Sequence, residues 1–103
     1  MDKFLKIYGD DRGAVYPLWT DKDSSVNFVE DRVSVSYLGA IRGFHGDNKT
    51  WKLCTCLHGI LKLVVWDIDR KKKYTFVLTA IQPKTVLIPP RHLNAHQCLS
   101  PTC

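Results

Sequence analysis

Hydrophobic and polar positions alternate along much of this chain with the period of two expected of half-buried strands. The segment "KFLKIYG" alternates weakly and runs into a Gly-Asp-Asp-Arg-Gly turn at residues 9 to 13. "AVYPLW" reads as an edge strand, because Pro17 has no N–H to give to a ladder. "TDKDSS", residues 20 to 25, is a polar loop. "VNFVEDRVSVSYL", residues 26 to 38, is rich in β-branched and aromatic residues and predicts a strand. Val33, Val35 and Tyr37 fall on one face of it, Ser34 and Ser36 on the other.

Gly39 and Gly43 interrupt the pattern before it resumes. "KLCTCLHG" reads as a strand ending at Gly59, and "ILKLVVWDID" is the most apolar strand. "RKKK", residues 70 to 73, is a turn into "YTFVLTAI", and a short strand "TVLIPP" follows "QPK". No helical period of any length appears. About seven short strands separated by turn signals predict an antiparallel sandwich or small barrel.

Length and composition narrow the class. With 103 residues, one domain is expected, able to bury a modest core. The hydrophobic fraction of 45% and charged fraction of 24% are those of a globular chain, not a disordered one. The net charge of +5 favours anionic partners: phosphorylated small molecules, nucleic acid or an anionic membrane. The N-terminus "MDKFLKIYGDD" carries no signal-peptide pattern. The longest apolar run, "GILKLVVW", is broken by Lys62 and is far short of the roughly 18 residues a membrane span needs. A soluble, cytoplasmic protein with no membrane partner is therefore expected. Cys54, Cys56, Cys98 and Cys103 then read as free thiols, and Cys-x-Cys is not the usual spacing of a zinc site.

The stretch "IRGFHGDNKTWK", residues 41 to 52, raises a question of chemistry. It places Arg42, His45 and Lys52 among apolar residues, between two strands, at what should be a sheet rim or barrel mouth. Arg42 and Lys52 offer fixed positive charge to a phosphate or a developing oxyanion. A histidine accepts a proton near neutral pH, so His45 is a candidate base. Three unrelated polar side chains on a surface loop would look the same at this level. Asp67 ends the apolar run and is a candidate to pair with Lys52 or orient His45; a strand-end aspartate opening the turn at "DIDR" fits equally well. No His-x-His pair exists, and His92 and His96 are four apart where no helix is indicated, so a metal centre is not expected. The basic run Arg70 to Lys73 would suit nucleic acid, but a hairpin tip in water accounts for it as well, and no nucleic-acid partner is expected.

"NFVEDRVSVSYLGAIRGFHGDNKTWKLCTCLHGILKLVVWDID" and "VLIPPRHLNAHQCLS" resemble the dTDP-4-dehydrorhamnose 3,5-epimerase family of cupins, and "DDRG" at residues 10 to 13 is similar to its N-terminal substrate turn. The likeness is closest to the branch acting on nucleotide-linked 4-keto sugars that reads "RG-x-H-GD…TWKL". The resemblance implies an all-β jelly-roll barrel, incomplete at the C-terminus. It implies a nucleotide-linked keto sugar as substrate, a homodimer that exchanges N-terminal strands within residues 1 to 30, a barrel core over 31 to 103, and neither metal nor redox cofactor. By the same resemblance His45 is the base removing a proton α to the 4-keto group. Lys52 stabilises the enolate oxygen, Arg42 binds the diphosphate or sugar, and Arg12 contacts the nucleotide. Glu30 and Asn94 occupy substrate-binding positions where the rhamnose branch carries glutamine and histidine. The family's proton-donating tyrosine lies beyond the position of Cys103, and Tyr8, Tyr16, Tyr37 and Tyr74 do not match it. The arrangement expected of the site is an imidazole and an ammonium group facing each other across a pocket shielded from water.

Overall fold

The computed structural model describes residues 1–20 and 27–103, so most of the expected loop at 20 to 25, and Val26 of the expected strand, lie outside the described residues. Among the described residues there are nine strands. They are β1 (Asp2–Phe4), β2 (Tyr8–Asp10), β3 (Gly13–Val15), β4 (Ile41–His45), β5 (Lys52–Thr55), β6 (Ile60–Asp67), β7 (Lys72–Thr79), β8 (Lys84–Ile88) and β9 (His92–Cys98). They form a four-stranded sheet β4-β9-β6-β7, a three-stranded sheet β1-β8-β5 and the separate hairpin β2-β3. All pairings are antiparallel.

The alternation of β6 organises the core. Leu61, Leu63, Val65 and Asp67 are buried, and the residues between them are more open. Residues opposite one another on antiparallel strands project to the same face. Leu61, Leu63 and Val65 therefore share a face with their β7 partners Leu78, Phe76 and Tyr74. Across the gap, β8 supplies Val86 and Ile88 to the same apolar cluster. Two sheets packed face to face on that cluster make the all-β cupin jelly roll. Burying a side chain such as Leu63 or Leu78 contributes about 2 kcal/mol.

Several strand expectations are corrected. Residues 27 to 36 form no strand; a single bridge, Tyr37 to Thr102, lies near their end. The one buried side chain there is a serine: Ser36 is 3% exposed, while Val33, Ser34, Val35 and Tyr37 are exposed. Ser36 exchanges two backbone hydrogen bonds with Cys103, at 2.9 Å each, which fixes its side inward. Among the described residues no layer covers the valine face. The basic turn sits two residues earlier than expected, with Lys72 and Lys73 already in β7. Lys71 takes the left-handed conformation (φ 52) that lets the hairpin close. The stretch 41 to 45, expected as a rim loop, is β4, and β9 was not expected at all. No helix among the described residues is long and apolar enough to cross a membrane.

Candidate functional site

Strand β9 carries His92, Asn94, His96 and Cys98 at alternate positions. Each lies opposite a core-facing residue of β6: His92 opposite Asp67, Asn94 opposite Val65, His96 opposite Leu63 and Cys98 opposite Leu61. All four therefore point to the inner side of the sheet. On the other flank of β9, Arg42 lies opposite His96 and His45 opposite Asn94. The β4–β9 register thus puts Arg42 and His45 on that same inner face. Lys52 lies opposite the buried Ile88 in the facing sheet, so it too belongs to the inner side. One polar surface above the apolar cluster gathers Arg42, His45, Lys52, Asn94 and His96.

Local contacts hold this surface in place. The Asn94 amide donates to the backbone carbonyl of His45 at 2.9 Å, across an irregularity in the β4–β9 ladder. Gly43 sits in that irregularity with φ +132, and a methyl group there would approach Ala95 to 2.6 Å. Glycine is what allows β4 to lie this close to β9. The Arg42 guanidinium donates to Ser36 Oγ at 3.2 Å and to the Val35 carbonyl at 3.4 Å, which steadies its stem. The loop after His45 is fastened at both ends. The Asp47 carboxylate accepts from the backbone N–H of Lys49 and Thr50, and from the Thr50 hydroxyl at 2.6 Å. Arg91 donates to Asn48 at 3.1 Å and to Asp69 at 2.8 Å, joining this loop to the β6–β7 turn.

The hydroxyl of Thr50, the two turn amides and the nearby Lys52 charge hold Asp47 down at about 2. For His96, burial, then the Arg42 and His45 charges, lower the basicity from the usual 6.5. Burial pushes Cys54 up to about 11, which keeps it a protonated thiol.

The seven residues singled out from sequence part company here. Arg42, His45, Lys52 and Asn94 come to one face. Asp67 is buried on the same face, but its carboxylate lies 3.4 Å from His92 Nε2 and accepts from the turn N–H groups of Asp69 and Arg70. It is the strand-end aspartate of its turn rather than a partner of Lys52 or His45. Arg12 lies on the β2–β3 hairpin, bonded to Asp10 at 2.9 Å beside an open concavity of about 270 Å³. Glu30 pairs with Arg32 at 2.6 Å in the strandless segment. The pocket shielded from water is also corrected: His45 and Arg42 are exposed. β4 is the edge of its sheet, so among the described residues its outer flank has no neighbouring strand to exclude water. His96, Arg91 and Ser36 are not among the site residues that the sequence singles out. Alternation in "HLNAHQC" was the available signal for His96. No group of three or more His, Cys, Asp or Glu side chains able to hold a metal ion occurs among the described residues.

Fold and site together define a cupin whose inner face presents imidazole, guanidinium, ammonium and amide groups. The chain belongs to the dTDP-4-dehydrorhamnose 3,5-epimerase family, whose model matches residues 4–103. It is similar to the dTDP-4-dehydrorhamnose 3,5-epimerase of Elizabethkingia anophelis NUHP1, with 25% identity and a TM-score of 0.82 over 98% of this chain and 63% of that one. The Bacillus anthracis str. Ames enzyme of that name, solved with TDP and PPi bound, is 25% identical with a TM-score of 0.85, over 98% and 67% of the two chains. The fold alone is shared with dTDP-6-deoxy-D-glucose-3,5-epimerase from Legionella pneumophila Philadelphia 1, in complex with dTDP-4-keto-L-rhamnose (23%, TM-score 0.85, 99% and 68%). The chain thus spans about two thirds of the length of these relatives. No curated protein sequence matches it.

Proposed function

We propose that the protein abstracts the proton α to the 4-keto group of a dTDP- or other nucleotide-linked 4-keto-deoxy sugar, serving cell-surface carbohydrate synthesis as a cytoplasmic homodimer. The His45 imidazole takes the proton. The Lys52 ammonium, arriving from the facing sheet, stabilises the enolate oxygen that develops. Arg42 holds the diphosphate or sugar, and Asn94 fixes the His45 backbone while presenting its face to the sugar. Arg12 and Glu30 reach substrate from the N-terminal segment of a second copy. That role is supported by the place of Arg12 on the separate β2–β3 hairpin and of Glu30 in the strandless segment, and by the exposed apolar residues near them in the chain, Val15, Val29 and Val33 among them. A positioned base accelerates proton transfer by about 10²–10⁴-fold.

The observation that carries this reading is the β4–β9 register, which sets Arg42 and His45 beside Asn94 above the core. Incubated in D₂O with a dTDP-4-keto-6-deoxyhexose, the protein washes deuterium into the α carbon, and His45→Ala stops it. Absence of exchange with the intact protein sinks the catalytic claim. A second reading, a sugar-nucleotide-binding cupin without turnover, draws on one observation: the exposed His45 ring makes no hydrogen bond among the described residues, so nothing described orients it. That reading expects thermal stabilisation by a dTDP-hexose with no deuterium uptake.

A further inference from the structure

His96 has no role in the reading above, yet it occupies the middle of the inner face. It lies opposite Leu63 on one side and opposite Arg42 on the other. It is half-buried, and its ring makes no hydrogen bond among the described residues. The groups facing it are cationic, titratable to cations or neutral. Strand β4 offers Arg42 and His45, β6 offers Leu63, β9 itself offers Asn94 and Cys98, and the opposite sheet offers Lys52. Asp67 shares the face but is taken up by His92 and its own turn. An imidazole set among positive charge with no carboxylate to answer it waits for an anion.

We propose that Arg42 and His96 form a two-residue cradle for the sugar-linked diphosphate, and that His96 takes up a proton when the ligand arrives. The inference rests on the reading that this face binds a nucleotide-linked sugar. A phosphoryl oxygen accepts from the Arg42 guanidinium and from the protonated His96 ring. In the free protein, burial, then the Arg42 and His45 charges, lower the basicity of His96 and disfavour the protonated ring. A bound dianion reverses that balance, since an opposite charge nearby favours the protonated ring. The sign follows. The bound-state basicity exceeds the free-state one, so affinity is highest in acid and declines as pH rises between the two values. A binding step that takes up one whole proton weakens by up to about tenfold per pH unit.

The test is isothermal titration calorimetry of the full chain with a dTDP-hexose. Its diphosphate is esterified on both sides and does not itself titrate near neutral pH. Runs in two buffers of different ionisation enthalpy, repeated between about pH 5 and 8, count the protons taken up. The native chain gains up to one proton, and affinity falls with rising pH. His96→Gln binds more weakly in acid, takes up no proton and loses the pH dependence. His45→Gln, altered at an exposed ring, keeps the uptake, and so does His92→Gln, which leaves His96 as the imidazole of this face that takes the proton even where the His96 variant folds poorly. Binding by the native chain without proton uptake overturns the cradle alone. Uptake that disappears in His45→Gln and survives in His96→Gln also overturns it. No binding of the dTDP-hexose overturns the cradle and the proposed function together.

Discussion

Strand β6 and the segment from Asn27 to Leu38 are written in the same alternating code and meet opposite fates. In β6 the alternation finds a strand on each side and a second sheet beneath it, so Leu63 and Val65 are sealed from water. In the other segment the same code has one bridge and leaves Val29 at 97% and Val33 at 78% exposed. Alternation specifies two faces; it does not say that a partner is present. β4 lies between these extremes. Its inner flank is paired to β9, and its outer flank is open. The candidate site is therefore half built by the core and half exposed at an edge.

The largest effect separates the two regions. Leu63→Ala removes a fully packed side chain and destabilises the chain by about 2–5 kcal/mol in urea unfolding. A loss below about 1 kcal/mol would mean that β6 is not the centre of the core. Gly43→Ala comes next. A methyl group pressed on Ala95 and on the Asn94 carbonyl forces β4 away from β9. The cost is about 1–3 kcal/mol, and deuterium exchange falls more than stability does because His45 moves with β4. Equal exchange in the variant and the native chain would uncouple the base from the β4–β9 register.

The third prediction acts on the exposed segment. Val29→Ser with Val33→Ser changes the stability of the isolated chain by less than about 0.5 kcal/mol, as surface substitutions do. The same pair shifts a dimer toward monomer in sedimentation. A monomeric native chain, or an unaltered dimer in the variant, would mean that these valines are not an interface.

Much of this organisation was legible in the sequence, and the remainder was hidden for physical reasons. The period of two located β6, β7 and β8, because both flanks of each run carry turn residues. It missed β9 because the two prolines at 89 and 90 suggested irregular chain, whereas they end β8 and leave Arg91 to turn the corner with φ 60. It placed a strand over 26 to 38 because composition cannot report an absent partner. The motif carried Arg42, His45, Lys52 and Asn94 to one face. It could not foresee Asp67 bound to His92, since that pairing depends on which residues stand opposite one another across β6 and β9.

The smallest expected effect concerns the loop that follows His45, which is as exposed as the valine segment but is organised from within. The Asp47 carboxylate closes the turn on Lys49 and Thr50 and lies near the Lys52 charge, so its folded-state value falls from 3.8 to about 2. A depressed carboxylate contributes stability that is present above its unfolded value and is lost as pH falls through the folded one. The Lys49 and Thr50 amide resonances should accordingly hold steady through the ordinary aspartate range and move with a midpoint at about 2. Asp47→Asn removes that step without unfolding the sheets, since its side-chain oxygen still accepts from the same amides. Were the two amides to titrate at the ordinary aspartate value, the loop would be held by its ends at β4 and β5 alone. Lys52 would then depend for its position on the facing sheet, with no help from the turn before it.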